Sequence, residues 1–314
     1  MSEAEDEAGK HVPVLVGPVI RALNIQPGGC YMDGTFGRGG HSLRILRQLG
    51  AKGRLIAIDR DPQAVAAASR ELRSDPRVEV VKGEIADIRQ IAAARHLLGA
   101  VDGLLLDLGV SSPQLDEAGR GFSFSKDGPL DMRMDPTSGT SAAEWLADVD
   151  EKELKQVLSR YGEERFAGRI ARAIVARREQ APIRRTRELA DIVAAAVPRG
   201  SRRTHPATKT FQAIRIRVNE ELTQLDAALA ASLAVLAPGG RLCVISFHSL
   251  EDRRVKRFMR HAAKEPEAWR GMPSIPEELR PPLAVIGKAI KASEAEIADN
   301  ARARSARLRV AERV

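Results

Sequence analysis

Short apolar runs alternate with helical periodicity through the first third of the chain: strand 30–33, helix 40–49, strand 54–58, helix 62–73, strand 77–81, helix 85–98 and strand 101–106. Parallel strands joined by crossover helices bury both faces of their sheet, so this alternation predicts a doubly wound, Rossmann-like α/β fold. The next clear strand, Arg241 to Phe247, comes after the breaker Pro238-Gly239-Gly240. The stretch from Asp107 to Gly240 holds 134 residues, where a crossover needs about a dozen or two. A second body is therefore inserted after the fourth strand. Its periodicity predicts helices over 141–161, 163–180 and 186–197, then a long run over 208–236 that changes role near residue 215. The implied division is a core of 1–114 plus 215–314 around an all-helical subdomain at 115–214. After the fifth strand, 249–259 reads as helix, 262–290 as loop and 307–310 as a last strand.

The loop after the first strand carries the most chemistry. Asp33-Gly34-Thr35-Phe36-Gly37-Arg38-Gly39-Gly40-His41-Ser42 lies between Cys30-Tyr31-Met32 and the helical spacing of Leu43, Ile45, Leu46 and Leu49. Glycines at a strand-to-helix turn let a ligand approach unpaired backbone amides. Asp59 closes the second strand 25 residues beyond Gly34, about the offset at which a carboxylate reaches ribose hydroxyls. The dinucleotide spacing G-x-G-x-x-G is not met, because Ser42 stands where the third glycine belongs. Asp33 is a poor neighbour for a pyrophosphate and suits a cationic ligand such as S-adenosylmethionine. A plain structural glycine turn is the alternative.

Ligands of open α/β sheets bind beyond the carboxyl ends of the strands. That rule selects 33–42, Asp59, 83–87, 107–114 and 247–249. Ile85 offers an apolar face for a purine, and a bare hydrophobic helix start is the competing reading. Asp107 ends a run of three leucines, and an unpaired buried charge is costly, so it belongs at the sheet's rim.

Charge placement points to a polyanion. Of the net +8, the segment 151–217 contributes 17 basic against 7 acidic residues, leaving the rest slightly acidic. Such a basic segment is an electrostatic footprint for RNA or DNA, with Arg184, Arg185, Arg187, Arg202 and Arg203 as candidate contacts. A solvated, arginine-rich helix face is the other explanation. Cys30 and Cys243 fall in strands, which supports neither a disulfide framework nor zinc, and six histidines lack ligand spacing. No protein-bound metal is expected. No apolar run approaches the roughly 20 residues of a membrane span, and Met1 to Lys10 lacks an apolar signal core, so the expected place is the cytoplasm.

The motifs DGTFGRGGHS, AIDRDP, LLLDLGVSSPQLD, RGFSF with DGPLDMRMDP, YGEERFAGRIARAI, HPATKTFQAIRI, LAPGGRL and SFHSLEDRRVK occur in this order from His11 to about Arg309. Together the chain resembles the RsmH (MraW) family of bacterial S-adenosylmethionine-dependent methyltransferases acting on cytosine N4 in 16S ribosomal RNA of the small subunit. The resemblance implies a class I methyltransferase core interrupted by a helical, RNA-facing domain. It implies that Gly39, Gly40 and His41 contact the cofactor, that Asp59 holds its ribose, and that Ile85, Asp107 and Gln114 complete the pocket.

The chemistry agrees with an amine acceptor. Methylation of cytosine at C5 generally needs a nucleophilic cysteine, and neither cysteine lies in the loop after strand four. An exocyclic amine needs no covalent step, only orientation toward the methyl donor and acceptors for its hydrogens. Asp107 and Ser112 are candidate acceptors. The loop Ser112-Pro113-Gln114 lacks the aromatic that amino-methyltransferases often carry there, and Phe122, Phe124 or Phe247 could cover the base instead. His248 reads as a structural or RNA-bonding residue rather than an obligatory base. Two other classes stay open at this point: a ribosome-assembly factor that has lost catalysis, and a nicotinamide-dependent oxidoreductase. Oligomeric state is also open, a dimer included.

Overall fold

A computed structural model describes residues 13–198, 205–269, 276 and 279–314. The chain divides into two compact units, Met1–Gly109 with Thr223–Val314, and Val110–Leu222. The sequence reading put these joins at 114/115 and 214/215.

The first unit begins with α1 (Val16–Leu23), β1 (Cys30–Asp33), α2 (Gly40–Leu46), β2 (Arg54–Asp59), α3 (Pro62–Ala66), α4 (Arg70–Ser74), β3 (Val78–Lys82), α5 (Ile88–Ala93) and β4 (Val101–Asp107). The second contains α6 (Ser112–Asp116), α7 (Ala142–Asp148), α8 (Glu151–Gly162), α9 (Ala167–Arg178), α10 (Thr186–Ala196) and α11 (Thr208–Val218). The chain returns through α12 (Glu221–Val235) to β5 (Leu236–Ser246), α13 (Ser249–Ala262), β6 (Leu283–Lys291), α14 (Glu294–Asp299) and β7 (Arg307–Arg313).

Seven strands form one sheet in the order β3-β2-β1-β4-β5-β7-β6. The first five are parallel, and β7 runs antiparallel to both β5 and β6. This is the expected doubly wound, Rossmann-like sheet. Strand alternation sends Met32, Ile56, Leu104, Leu106 and Val244 to one face, under α5, α12 and α13. Tyr31, Leu55, Ala57, Leu105 and Cys243 go to the other, under α1 and α2. Both faces are thus covered, as period-2 side-chain direction in a parallel sheet requires. Strand order reverses between β1 and β4, and their carboxyl ends, Asp33 and Asp107, mark the switch point.

Several expected elements differ. The helix 62–73 is broken in two, because the Asp61 side chain accepts from Gln63 N at 2.9 Å and Ser69 accepts from Leu72 N at 3.3 Å, each starting a helix of its own. The helix 85–98 shrinks to α5 after one 3₁₀ turn, Ile85–Asp87. Strand five starts at Leu236, so Pro238-Gly239-Gly240 lies inside it, taken up as a register shift with Gly239 at φ +79. The stretch 262–290 conceals the start of β6, whose only fully buried residue is Leu283. With neither face covered, its residues show no alternation to read.

The second unit has its own core, with Leu130, Met132, Leu146, Leu158, Ile170, Ile174, Leu189, Phe211 and Ile214 among its buried residues. The expected helix 141–161 breaks where Asp150 accepts from Glu153 N at 2.7 Å. The run 208–236 breaks at Asn219-Glu220, with Glu220 at φ +51. Buried Asn219 accepts from Met134 N and donates to Met132 O, both at 2.7 Å, pinning the DMRMDP loop. Arg120, 7 % exposed, donates to Met134 O at 2.8 Å from the other side. No helix among the described residues is long and apolar enough to cross a membrane.

Candidate active site

At the switch point β1 hands over to a loop that its own polar groups hold closed. Asp33 is 1 % exposed; its Oδ1 accepts from Thr35 N at 3.1 Å and its Oδ2 from the Ser42 hydroxyl at 2.7 Å. Burial holds its carboxyl above the usual range, against the pull of His41, Ser42 and Thr35. The Thr35 hydroxyl accepts from Asp107 N at 2.6 Å, and Gly34 N donates to Leu105 O at 2.9 Å, which sews the loop to the end of β4. Asp33, read from the sequence as the neighbour of a cationic ligand, holds the loop in shape through these bonds.

The turn into α2 needs two glycines in sequence. Gly39 adopts φ +75, and a Cβ there would stand 2.6 Å from Leu72 Cδ1. A Cβ on Gly40 would meet Pro13 Cγ at 2.2 Å. Directly after them, His41 is 5 % exposed, with Nε2 3.6 Å from Asp107 Oδ2. Burial pushes the imidazole pKa down, but the carboxylates of Asp107 and Asp33 outweigh it and the net shift is upward. His41 Nε2 is thus turned to Asp107, whose other oxygen, the buried Oδ1, has no hydrogen-bond partner. Buried polar atoms are nearly always paired, so this free acceptor points to a ligand that brings a donor or a positive charge.

Asp59 ends the neighbouring strand. Its Oδ2 accepts from Gly37 N at 2.7 Å and its Oδ1 from Asp61 N at 2.8 Å. A carboxylate has about four lone-pair sites, so about two remain for a diol. Burial raises its pKa to about 6, with the two amides opposing. Ile85 sits partly buried in the 3₁₀ turn after β3, packed on the core. That turn is clamped by Gln224 of α12, which accepts from Ala86 N at 3.2 Å and donates to Glu84. Gln224 was missed by the sequence reading, because only the fold brings 138 residues of separation together. Thr35 was inside a recognised motif, yet its bond to β4 had no sequence signal.

His248 caps α13: its Nδ1 accepts from Glu251 N at 3.4 Å, and Nε2 lies 3.1 Å from Glu251 Oε1. It thus starts the helix, in keeping with the structural half of its sequence reading. Phe247 packs against the core beside Gly109. Neither cysteine is a usable nucleophile, since burial pushes the Cys30 thiol to about 11 and the Cys243 thiol to about 12.

In the second unit, Gln114 is buried and its Oε1 accepts from Ser111 N at 2.9 Å, closing a capping box at the start of α6, where Ser112 is the first helical residue. Phe122 is core, 5 % exposed, and Phe124 is only partly buried. Arg184, Arg185 and Arg187 are exposed around the start of α10, with Arg185 Nε 2.6 Å from Asp127 Oδ2. Arg202 and Arg203 lie outside the described residues.

A model of the MraW methylase family matches residues 8–314. Among solved structures, a candidate rRNA-methylase from Clostridium thermocellum aligns over 97% of this chain and 100% of its own, at 11% identity and TM-score 0.46. An O-methyltransferase from Thermotoga maritima aligns over 98% and 68%, at 10% identity and TM-score 0.42. A candidate methyltransferase from Streptococcus mutans in complex with SAH aligns over 97% and 100%, at 11% identity and TM-score 0.41.

Proposed function

Since the chain belongs to the MraW methylase family of S-adenosylmethionine-dependent methyltransferases, we propose that it methylates the exocyclic N4 of a specific cytidine in 16S ribosomal RNA of the small subunit. The observation that carries the reading is the buried, unpaired Oδ1 of Asp107 at the switch point, beside the turn that Gly39 makes at φ +75. These residues fit the cofactor. Asp59 has lone pairs for ribose hydroxyls, Ile85 an apolar side chain for a purine face, and Asp107 an unpaired oxygen for a cationic or N–H-bearing group. Gly39, Gly40 and Gln114 complete the assigned set.

Bound S-adenosylmethionine supplies a methyl group made electrophilic by its sulfonium. The chain's own task is then to place an amine whose lone pair is delocalised into the cytosine ring, and positioning of this kind is worth several orders of magnitude in rate. Asp107 is the acceptor we assign to the N4 hydrogens. Methyl transfer leaves an acidic ammonium that sheds its proton readily, so no dedicated base is required, in keeping with His248 being tied up as a cap. The two raised thiols argue against a covalent cysteine adduct and hence against C5 as the acceptor. We assign the RNA contacts to the inserted helical unit, which holds the whole of the basic segment 151–217.

The test is methyl transfer from labelled S-adenosylmethionine to purified small subunits that lack the modification, followed by nucleoside mass analysis. The expected product is N4-methylcytidine at one site. Label recovered as 5-methylcytidine, or no transfer to RNA at all, overturns the proposal.

A further inference from the structure

Within the helical unit three aromatic rings run in contact from the core to the surface. Phe124 is partly buried, and its ring meets Phe211 edge-on, 4.9 Å between centroids at 71°. Phe211 is 4 % exposed and belongs to the core. On Phe124 lies His205, centroids 4.5 Å apart and planes at 34°. His205 is exposed, so the order from inside to outside is Phe211, Phe124, His205. The imidazole is held in place, because its Nδ1 accepts from Ala207 N at 3.2 Å. A neutral imidazole whose Nδ1 accepts carries its proton on Nε2, which leaves one N–H donor on the ring.

The ring is fixed, flat and exposed, and a second ring backs it. It is what single-stranded RNA requires of a protein, an aromatic or imidazole plane on which a splayed base can stack. The flanking positions suit the same ligand. Lys209 and Thr208, on the first turn of α11, are exposed, and they lie in the segment 151–217, where 17 basic against 7 acidic residues draw a phosphate backbone.

We propose that His205, seated on Phe124, is a stacking platform for one unpaired nucleobase of the RNA substrate. The inference rests on RNA being the substrate, and it identifies His205 as a positioning residue rather than a catalytic one. It also gives the aromatic that the loop at Ser112-Pro113-Gln114 lacks a counterpart elsewhere, on a different element.

The test is binding of the full-length protein to a short fluorescent RNA and to the same strand with abasic sites, by anisotropy. Stacking worth about 1 to 3 kcal/mol corresponds to roughly 5- to 150-fold in affinity. Wild type should favour the base-containing strand by about tenfold or more, His205→Ala should lose that preference with its melting temperature unchanged, and His205→Tyr should restore it. His205→Ala with wild-type discrimination, or a wild type blind to missing bases, overturns the platform. A wild type that discriminates bases yet transfers no methyl group to RNA would leave the platform standing and remove the proposed reaction instead.

Discussion

His41 Nε2 and Asp107 Oδ2 are held 3.6 Å apart, one from the first turn of α2 and the other from the end of β4. The pair therefore reports whether the glycine loop is closed on the sheet. Burial alone would make the imidazole harder to protonate, and the Asp107 and Asp33 carboxylates reverse that. Asp107→Asn leaves the burial and removes the nearer charge, so His41 should titrate lower in the variant than in wild type. A histidine with a raised folded pKa adds stability below its unfolded value near 6.5, and loses that contribution as pH climbs through the folded pKa. The stability gap between wild type and variant should accordingly be wider at about pH 5.5 than at about pH 8.5. Imidazole NMR titration decides it: identical curves in the two proteins would break the assigned coupling.

Asp59 yields a prediction of the same sign for stability and the opposite sign for cofactor binding. Its carboxyl is raised from 3.8 to about 6 by burial, so the folded protein bears the cost of an ionised buried group above about pH 6 and gains stability as pH falls toward 3.8. Ribose hydroxyls, however, donate to the ionised form. Cofactor affinity should be flat above neutrality and weaken as pH drops through about 6, approaching about tenfold per unit well below it. Asp59→Asn should bind weakly with no such pH dependence, and Asp59→Ala should not bind measurably. Micromolar binding by Asp59→Ala in calorimetry would remove Asp59 from the site.

Much of the rim was legible because strand ends and loops follow from local patterning. Asp59, Asp107 and Gly39-Gly40-His41 all lie where apolar runs stop, and a parallel sheet brings such stops to one edge. Asp33 obeys the same rule, and its partners Thr35 and Ser42 could be seen in sequence but not their bonds. Helix lengths failed at Ser69, Asp150 and Asn219, where a polar side chain bonds a backbone amide and competes with continued helix. Strand β6 was hidden because it is apolar on both exposed faces, and the His205–Phe124 stack because it joins residues 81 apart.

The turn into α2 should be intolerant of a single methyl group. Gly39→Ala must place Cβ against Leu72 and Phe36 while keeping φ near +75. A left-handed residue costs about 1 to 2 kcal/mol, and overpacking about 1 to 3 more. Urea denaturation should register a loss of about 2 kcal/mol or more together with weakened cofactor binding. Arg38→Ala, one residue earlier and exposed, should change stability little. Equal stability of the two variants would mean the loop relaxes freely and is not the fixed cradle inferred for it.

The arginines at the start of α10 test whether the helical unit meets RNA there. Arg184, Arg185 and Arg187 are exposed, but they are not equivalent. Arg185 is paired with Asp127, whose carboxyl that guanidinium holds below its usual range, and the Arg187 amide donates to the same carboxylate at 3.2 Å. Arg184→Glu should thus weaken RNA binding more than Arg185→Glu, whereas Asp127→Asn should tighten it by releasing Arg185. Each phosphate contact contributes about 0.7 to the log–log salt slope for single strands, so reversing all three should flatten it by about 2. A slope unchanged by the triple reversal would return the segment to an ordinary solvated helix face, because a charge that neutralises phosphate cannot be inverted without releasing fewer counterions.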